Sequence, residues 1–155
     1  MIRKVLTAAA MAAAVALPAI AAAESHTVES VTVQAQREVA GAFIAAAQTQ
    51  DRKAALGLLA QDVSIEYSTS ADPGRQGHGE GQPFVIGYLD GLFDSNRGLS
   101  VDSAAPLGDA VRFIAHEHRS QDRYAIDVEV RNHQVVKVTV NLQDRPALAA
   151  LVPTS

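Results

Sequence analysis

Apolar residues recur at helical spacing in the first part of the chain and at every second position in the last part. Residues 32–48 carry one apolar face at helical spacing and predict an amphipathic helix, preceded by a polar segment at residues 24–31. Asp51 stands before a second apolar run and predicts a shorter helix that ends near Leu59, with the aspartate as its N-cap. Residues 63–67 then alternate between apolar and polar, which predicts a half-buried strand.

A glycine-rich segment and a third helix follow this strand. Residues 69–82 contain four glycines and a single apolar residue, which predicts a connecting loop. Pro83 is predicted to open the third helix, because its missing N–H costs nothing in a first helical turn, and residues 96–98 are predicted to end it. The predicted apolar face of this helix consists of Phe84, Tyr88, Leu89, Leu92 and Phe93.

The second half of the chain has the alternation of antiparallel strands. Three helices followed by such strands define an α+β fold, in which the helices bury their apolar faces against one side of a curved sheet. We expect a cone of three helices packed on a curved antiparallel (mixed) sheet, with an apolar pocket, in a single domain at residues 24–155. The four predicted strands lie at residues 99–104, 110–119, 123–131 and 135–142.

Strand parity predicts how the middle two of these strands pair. Side chains alternate across a strand, so paired strands must place their apolar residues on one face. This condition predicts Phe113 opposite Val128 and Arg112 opposite Glu129, with a turn at residues 120–121.

The same condition applies to the last hairpin. A two-residue turn at Asn132 and His133 would pair opposite parities and turn one apolar set outward. Parity therefore predicts a three-residue loop at residues 131–133, with His133 in the left-handed conformation.

The N-terminal residues predict a cleaved secretory signal. Arg3 and Lys4 precede an alanine-rich apolar run that ends in small residues, which is typical of a signal peptide, here residues 1–23, cleaved after Ala23. The run is shorter than the ~20 apolar residues that a spanning helix needs, so no stable membrane anchor is expected after cleavage. The mature protein is expected in the periplasm or outside the cell.

Composition excludes several classes of protein. The 155-residue chain has no cysteine, which excludes a disulfide scaffold, a thiolate metal site and a cysteine nucleophile. Of its 13 basic residues two lie in the predicted signal, leaving 11 against 17 acidic residues and a net charge of −6. That charge argues against nucleic acid and against anionic membrane surfaces as partners. Residues 77–81 lack the lysine and hydroxyl residue of a phosphate-binding loop, so no nucleotide cofactor is expected.

The order and spacing of these elements resemble the nuclear transport factor 2-like (NTF2-like) superfamily, specifically its SnoaL-like and ketosteroid isomerase-like branch. The resemblance is carried by residues 43–63, by Gly79-Glu80-Gly81 entering the third helix, and by the two strands with their short turn at residues 123–142. It covers nearly all of the mature chain. It implies a cone of helices over a curved sheet, an apolar pocket and, often, a dimer. A homodimer is expected here through the outer face of the sheet.

The resemblance also identifies positions for isomerase chemistry. Ketosteroid isomerases use a tyrosine on the first helix, an aspartate at the end of the first strand and a second aspartate on a later strand. The corresponding positions are Phe43, Tyr67 and either Asp127 or Ile126, depending on the end from which the strand is counted. Parity favours Ile126, since Asp127 shares the outer face with Arg112. The resemblance therefore implies the fold without the residues of the isomerase.

Glu117 is the principal catalytic candidate. It is predicted to point inward beside Tyr124, at the end of an apolar row, where loss of solvation would suit a general base or acid. The alternative is a solvated, inert strand end. Tyr67 is a second tentative catalytic residue, because its hydroxyl could hold a ligand oxygen. The predicted ligand-binding residues are Phe43, Tyr67, Tyr88, Phe113, Glu117, Tyr124, Ile126 and Val128.

Two histidines on one strand face have a spacing that can chelate a metal. His116 and His118 are predicted on the outer face, with Asp127 as a diagonal neighbour of His116 and with no inward acidic third ligand. No metal site is therefore predicted, and a solvated or dimer-facing pair is expected. His78 lies in the glycine-rich segment, near the expected mouth of the pocket.

Three functions are compatible with the sequence. The first is a binding or accessory module for a small apolar or amphipathic molecule. The second is a cofactor-independent isomerase, cyclase or dehydratase in which Glu117 moves a proton. The third is a mainly structural homodimer. No cofactor is expected in any of them.

Overall fold

The described part of the chain forms three helices and six strands. A computed structural model describes residues 17–68 and 76–144, with side chains described for residues 31–68 and 76–143. The rest of the predicted signal and the C-terminal tail lie outside these ranges. The elements are α1 (Leu17–Gln48), α2 (Arg52–Leu58), β1 (Leu59–Ser68), β2 (Gln76–Glu80), α3 (Gln82–Leu92), β3 (Leu99–Leu107), β4 (Ala110–Glu117), β5 (Arg123–Arg131) and β6 (Gln134–Asp144).

The chain divides into two compact units, residues 1–32 and residues 33–155. The second unit contains α1 from Val33 onward and all the later elements. Helix α1 begins at Leu17, earlier than the predicted start at residue 32, and so includes the predicted polar segment at residues 24–31. Within the described ranges, no helix combines the length and apolar character needed to cross a membrane.

The six strands form one curved, mixed sheet in the order β2-β1-β6-β5-β4-β3. Strands β1 and β6 run parallel, and the other neighbouring pairs run antiparallel. The inward side chains of the sheet and the apolar faces of the helices form one hydrophobic core. The α+β architecture predicted from the sequence is confirmed. The largest fully buried side chains are Phe43, Leu59, Ile65, Leu89 and Ile126.

Local chemistry explains where α2 and α3 begin. The Asp51 carboxylate accepts a hydrogen bond from the Ala54 amide at 3.0 Å, so the predicted N-cap of α2 is confirmed. Helix α3 has Pro83 in its first turn, as predicted, and follows Gly81 with φ of 87°. It ends at Leu92, before the predicted stop at residues 96–98.

The apolar face of α3 is rotated from the predicted one. Val85 and Ile86 point into the core, whereas Phe84 is 43% exposed. Phe84 instead lies beside the sheet edge, where its ring occupies the position that a side chain at Gly79 would take. The Phe84 ring therefore covers Gly79 and is not part of the core.

Strand β2 occupies part of the segment that was predicted to be a loop. Its alternate residues Gly77 and Gly79 lie against the rings of Tyr67 and Phe84, and a Cβ atom at either glycine would overlap the facing ring. Glycine weakens a strand because it has no side chain to pack, and an aromatic ring from a neighbouring element can supply that contact. The loop prediction was wrong because alternate positions of this strand are glycines, so the sequence shows no alternation of apolar and polar side chains.

The pairing of β4 with β5 corrects the predicted register by two residues. Phe113 faces Ile126 rather than Val128, and Arg112 faces Asp127 rather than Glu129. A shift by two leaves every side chain on its predicted face, so parity cannot detect it. The observed register brings the Arg112 Nε and Nη2 atoms to 2.7 Å from the two carboxylate oxygens of Asp127, a bidentate pair that raises the pKa of the guanidinium.

The turn between β5 and β6 satisfies parity in an unexpected way. Asn132 and His133 both have positive φ, 50° and 61°, and form a two-residue turn. Beyond this turn Val130 pairs with Val135, and Val136 then forms a β-bulge. The left-handed His133 is confirmed. The predicted three-residue loop was wrong, because the bulge provides the odd residue that keeps the apolar sets together.

Replacement of Gly77 tests the packing of the aromatic ring on β2. Gly77→Ala is expected to lower the free energy of unfolding by ~1–3 kcal/mol, since the new methyl group must displace the half-buried Tyr67 ring. Gly87→Ala is the matched control, because a Cβ atom at this helical position meets nothing within 4 Å. It is expected to stabilise the protein by about 0.5–1 kcal/mol. Chemical denaturation measures both, and a Gly77→Ala protein as stable as the control would contradict the packing.

A pair of double-mutant cycles tests the β4–β5 register. The coupling between Arg112 and Asp127 is expected to be about 0.5–1 kcal/mol, as for a well-formed ion pair near the surface. The coupling between Arg112 and Glu129, the pair that parity alone allowed, is expected to be close to zero. Equal couplings, or a larger one for Glu129, would contradict the observed register.

Candidate functional site

A cavity of about 240 Å³ opens where the C-terminal end of α3 lies over the ends of β1, β5 and β6. Its lining combines three phenols, one hydroxyl and one guanidinium with two apolar side chains. A small number of polar groups on an otherwise apolar wall is typical of small-molecule sites. The lining residues are Tyr67, Ser68, Tyr88, Leu92, Arg97, Tyr124 and Leu142.

An aromatic row leads from the protein surface to this cavity. The rings of Tyr67 and Tyr88 lie 4.5 Å apart between centroids, at an interplanar angle of 33°. On its other side Tyr67 stacks with Phe84, which is the exposed end of the row, at 6.4 Å. Two of the predicted ligand-binding tyrosines are thus brought together by packing that also holds strand β2 against β1.

Tyr88 is half-buried, and among the described residues its hydroxyl has no hydrogen-bond partner. Desolvation, with a smaller contribution from Tyr124, raises the pKa of Tyr88 to about 12, so the phenol is neutral at physiological pH. Neither Tyr88 nor Tyr67 makes a hydrogen bond through its hydroxyl within the described residues. A phenol hydroxyl inside a protein usually has a hydrogen-bond partner. These two hydroxyls can therefore donate to a bound molecule.

Arg97 enters the cavity from the turn that follows α3. The Asp94 carboxylate accepts a hydrogen bond from the Asn96 amide at 2.9 Å, and the Asp94 carbonyl accepts one from the Arg97 amide at 2.9 Å. Gly98 closes the turn with φ of 65°. From the sequence, this segment was predicted only to end a helix. Hydrophobic periodicity does not indicate a single cation that is positioned by a turn.

Glu117 points inward beside Tyr124, as predicted, and its side chain is 12% exposed. The Tyr124 hydroxyl lies 3.5 Å from its Oε2 atom, and Arg97 Nε lies 3.5 Å from its Oε1 atom. The carboxylate therefore has a counter-ion, whereas an apolar environment was expected. It lies behind the cavity wall and is not one of the lining residues.

The other predicted ligand-binding residues lie in the hydrophobic core and do not line this cavity. Phe43, Ile126 and Val128 are completely buried, and Phe113 is nearly so. Parity correctly placed Phe113, Ile126 and Val128 on the inner face of the sheet, where they pack in one core with residues of the helices. At the isomerase position with two possible assignments, Ile126 faces inward and Asp127 faces outward.

The histidines have partners outside this cavity. His116 Nδ1 lies 2.7 Å from an Asp102 oxygen, and the His118 Nε2 atom lies 2.8 Å from the Ser100 hydroxyl. The expected neighbour of His116, Asp127, pairs with Arg112 instead, so that expectation is corrected. Across the described residues, no group of three or more potential ligands is placed to hold a metal ion.

His78 lies on β2 rather than in a loop. Its Nε2 atom is 3.2 Å from a carboxylate oxygen of Glu80, and the side chain is exposed. It does not line the cavity.

Comparison with solved structures identifies the fold. An NTF2-like protein of unknown function from Mesorhizobium loti is 15% identical, with a TM-score of 0.59 over 72% of this chain and 93% of that one. A candidate ketosteroid isomerase from Kribbella flavida is 17% identical, with a TM-score of 0.55 over 79% and 91%. A de novo designed protein with a curved β-sheet is 18% identical, with a TM-score of 0.56 over 71% and 86%.

These similarities show that the chain has the NTF2-like fold, as the sequence resemblance indicated. No family model matches the sequence, and no curated protein does so either. The similarity is thus one of architecture, and the chemistry must be argued from the side chains of this chain.

Titration of Tyr88 tests its burial in the cavity wall. In the folded protein Tyr88 is expected to ionise near pH 12 rather than near 10.0. Because the unfolded chain loses this proton first, the contribution of Tyr88 to stability is complete below pH 10 and is lost as the pH rises towards 12. The difference in tyrosinate absorbance between the wild type and Tyr88→Phe measures this directly. Ionisation of Tyr88 near pH 10 would contradict the described environment.

Proposed function

We propose that the protein binds a small amphipathic molecule in the cavity at the end of α3. The observation that carries this proposal is the lining of the cavity, in which the hydroxyls of Tyr67 and Tyr88, without a hydrogen-bond partner among the described residues, accompany two leucines, Leu92 and Leu142. An apolar ligand body contacts the leucines and the aromatic rings, and its polar end meets the hydroxyl and guanidinium groups. The volume is below the ~300–1,000 Å³ typical of drug-sized ligands, which favours a small molecule.

An acid–base enzyme is a second candidate, and the placement of Glu117 favours it. Its mostly buried carboxylate lies beside Tyr124, which lines the cavity. One candidate ketosteroid isomerase has a similar fold. Proton transfer by Glu117 requires that Glu117→Gln abolish turnover of a cavity ligand, and unchanged turnover would remove this candidate.

Location and assembly are proposed from the sequence. Residues 1–23 support export to the periplasm or the exterior, with cleavage after Ala23. A homodimer through the outer sheet face remains a proposal. That face carries ion pairs between Arg112 and Asp127 and between Lys137 and Glu66, which a partner surface must retain or replace.

Filling the cavity tests the binding function. Two test compounds share one ring and one chain length, the acid 3-phenylpropionate and its neutral amide 3-phenylpropanamide. At least one of them is expected to shift the NMR signals of the cavity tyrosines at about 10 mM, a concentration that saturates a site with a Kd near 1 mM. Leu142→Trp fills the cavity and is expected to weaken this binding at least tenfold, as estimated from the loss of one buried apolar contact surface.

Leu107→Trp is the matched control, because Leu107 is 45% exposed and does not line the cavity. It is expected to bind the compounds as the wild type does. Absence of binding to the wild-type protein, or equal binding by Leu142→Trp, would contradict the proposed function.

A further inference from the structure

The charge of the cavity wall is carried by one residue. Arg97 is the one lining residue of a charged type, since the others are three tyrosines, a serine and two leucines. The polar end of a bound molecule therefore meets one cation and several hydroxyl groups. An anionic group complements this wall better than a neutral one.

The guanidinium of Arg97 is only loosely engaged by the protein. Its Nε edge lies 3.5 Å from Glu117 and its Nη2 atom lies 3.5 Å from the Tyr124 hydroxyl, both at the outer limit of hydrogen-bond distance. A charge-assisted bond is ordinarily 2.7–2.9 Å long. The same chain forms such a pair between Arg112 and Asp127, at 2.7 Å for both bonds. Arg97 thus keeps donors available for a stronger partner.

The two edges of this guanidinium face different groups. The Nε edge faces Glu117, behind the cavity wall, and the Nη2 edge lies beside Tyr124, which lines the cavity. The hydroxyl of Tyr88, which has no hydrogen-bond partner in the described part of the chain, belongs to the same wall. An oxyanion in the cavity can therefore accept from the Nη2 edge and from a phenol without displacing Glu117.

We infer that the cavity selects a small monocarboxylic acid with an apolar body, whose carboxylate is bound by Arg97. This inference deepens the proposed function and rests on it. Arg97 is the one cation in the wall, and the nearby Glu117 carboxylate repels a doubly charged group more strongly than a singly charged one. A doubly charged phosphate is therefore disfavoured. The aromatic row from Phe84 to Tyr88 suits a ring on the apolar body.

The two test compounds separate charge from shape. The wild-type protein is expected to bind 3-phenylpropionate at least ~10-fold more tightly than 3-phenylpropanamide, because the carboxylate forms a charge-assisted hydrogen bond with Arg97 that the neutral amide cannot form. Arg97→Gln is expected to abolish the preference for the acid, because the affinity for the acid falls much more than the affinity for the amide. Arg97→Lys retains the charge and is expected to give an intermediate preference.

Arg119→Gln is the matched control, because Arg119 is exposed and lies outside the cavity. It is expected to keep the wild-type preference for the acid. Equal affinity of the wild type for both compounds would overturn the inference and leave the proposed function intact. An equal loss of affinity for the acid and for the amide in Arg97→Gln would also overturn it, because Arg97 would then shape the cavity rather than select a charge. If neither compound binds the wild type, the proposed function fails as well.

Discussion

The structure depends on keeping one face of a six-stranded sheet apolar while helices cover it. The buried side chains of β1, β4, β5 and β6 pack with the helices in one core. If one of these strands had the opposite parity, all of its apolar side chains would be exposed. The bulge at Val136 shows how strict this constraint is. A two-residue turn with Asn132 and His133 in the left-handed region would reverse the parity, and the bulge restores it within a few residues. A local bulge in β6 thus keeps the apolar side chains of the whole sheet on one face.

The same constraint explains why the cavity lies where it does. The central side chains of the sheet, such as Ile126, are completely covered by helices and leave no room for a ligand. At the end of α3 the helix stops at Leu92, and the next residues form a turn rather than a further layer of apolar side chains. Polar groups can then line the space without being buried in the core. Arg97 and the tyrosine hydroxyls occupy this boundary, where an apolar wall and a polar rim meet.

The fold was predictable from the sequence because periodicity reports which face of an element is apolar. The order of helices and strands, the Asp51 cap and the left-handed His133 all follow from local chemistry. The β4–β5 register was not predictable, because a shift by two residues preserves every face and only the Arg112–Asp127 geometry distinguishes the alternatives. Strand β2 was missed for a related reason. Its glycines are covered by rings from other elements, and a sequence pattern contains no record of that contact.

The candidate site was predictable only in part. Tyr67, Tyr88 and Tyr124 were correctly placed together, since aromatic residues on inward positions converge at the open end of the sheet. Arg97 was not predicted as a site residue because it lies in a turn, where hydrophobic periodicity gives no information on the direction of a side chain. The most direct test is a crystal structure of the protein with 3-phenylpropionate bound. The carboxylate is expected within hydrogen-bond distance of Arg97, and the phenyl ring is expected among Tyr67, Leu92 and Leu142. A compound bound elsewhere, or bound in the cavity with its carboxylate turned away from Arg97, would contradict it.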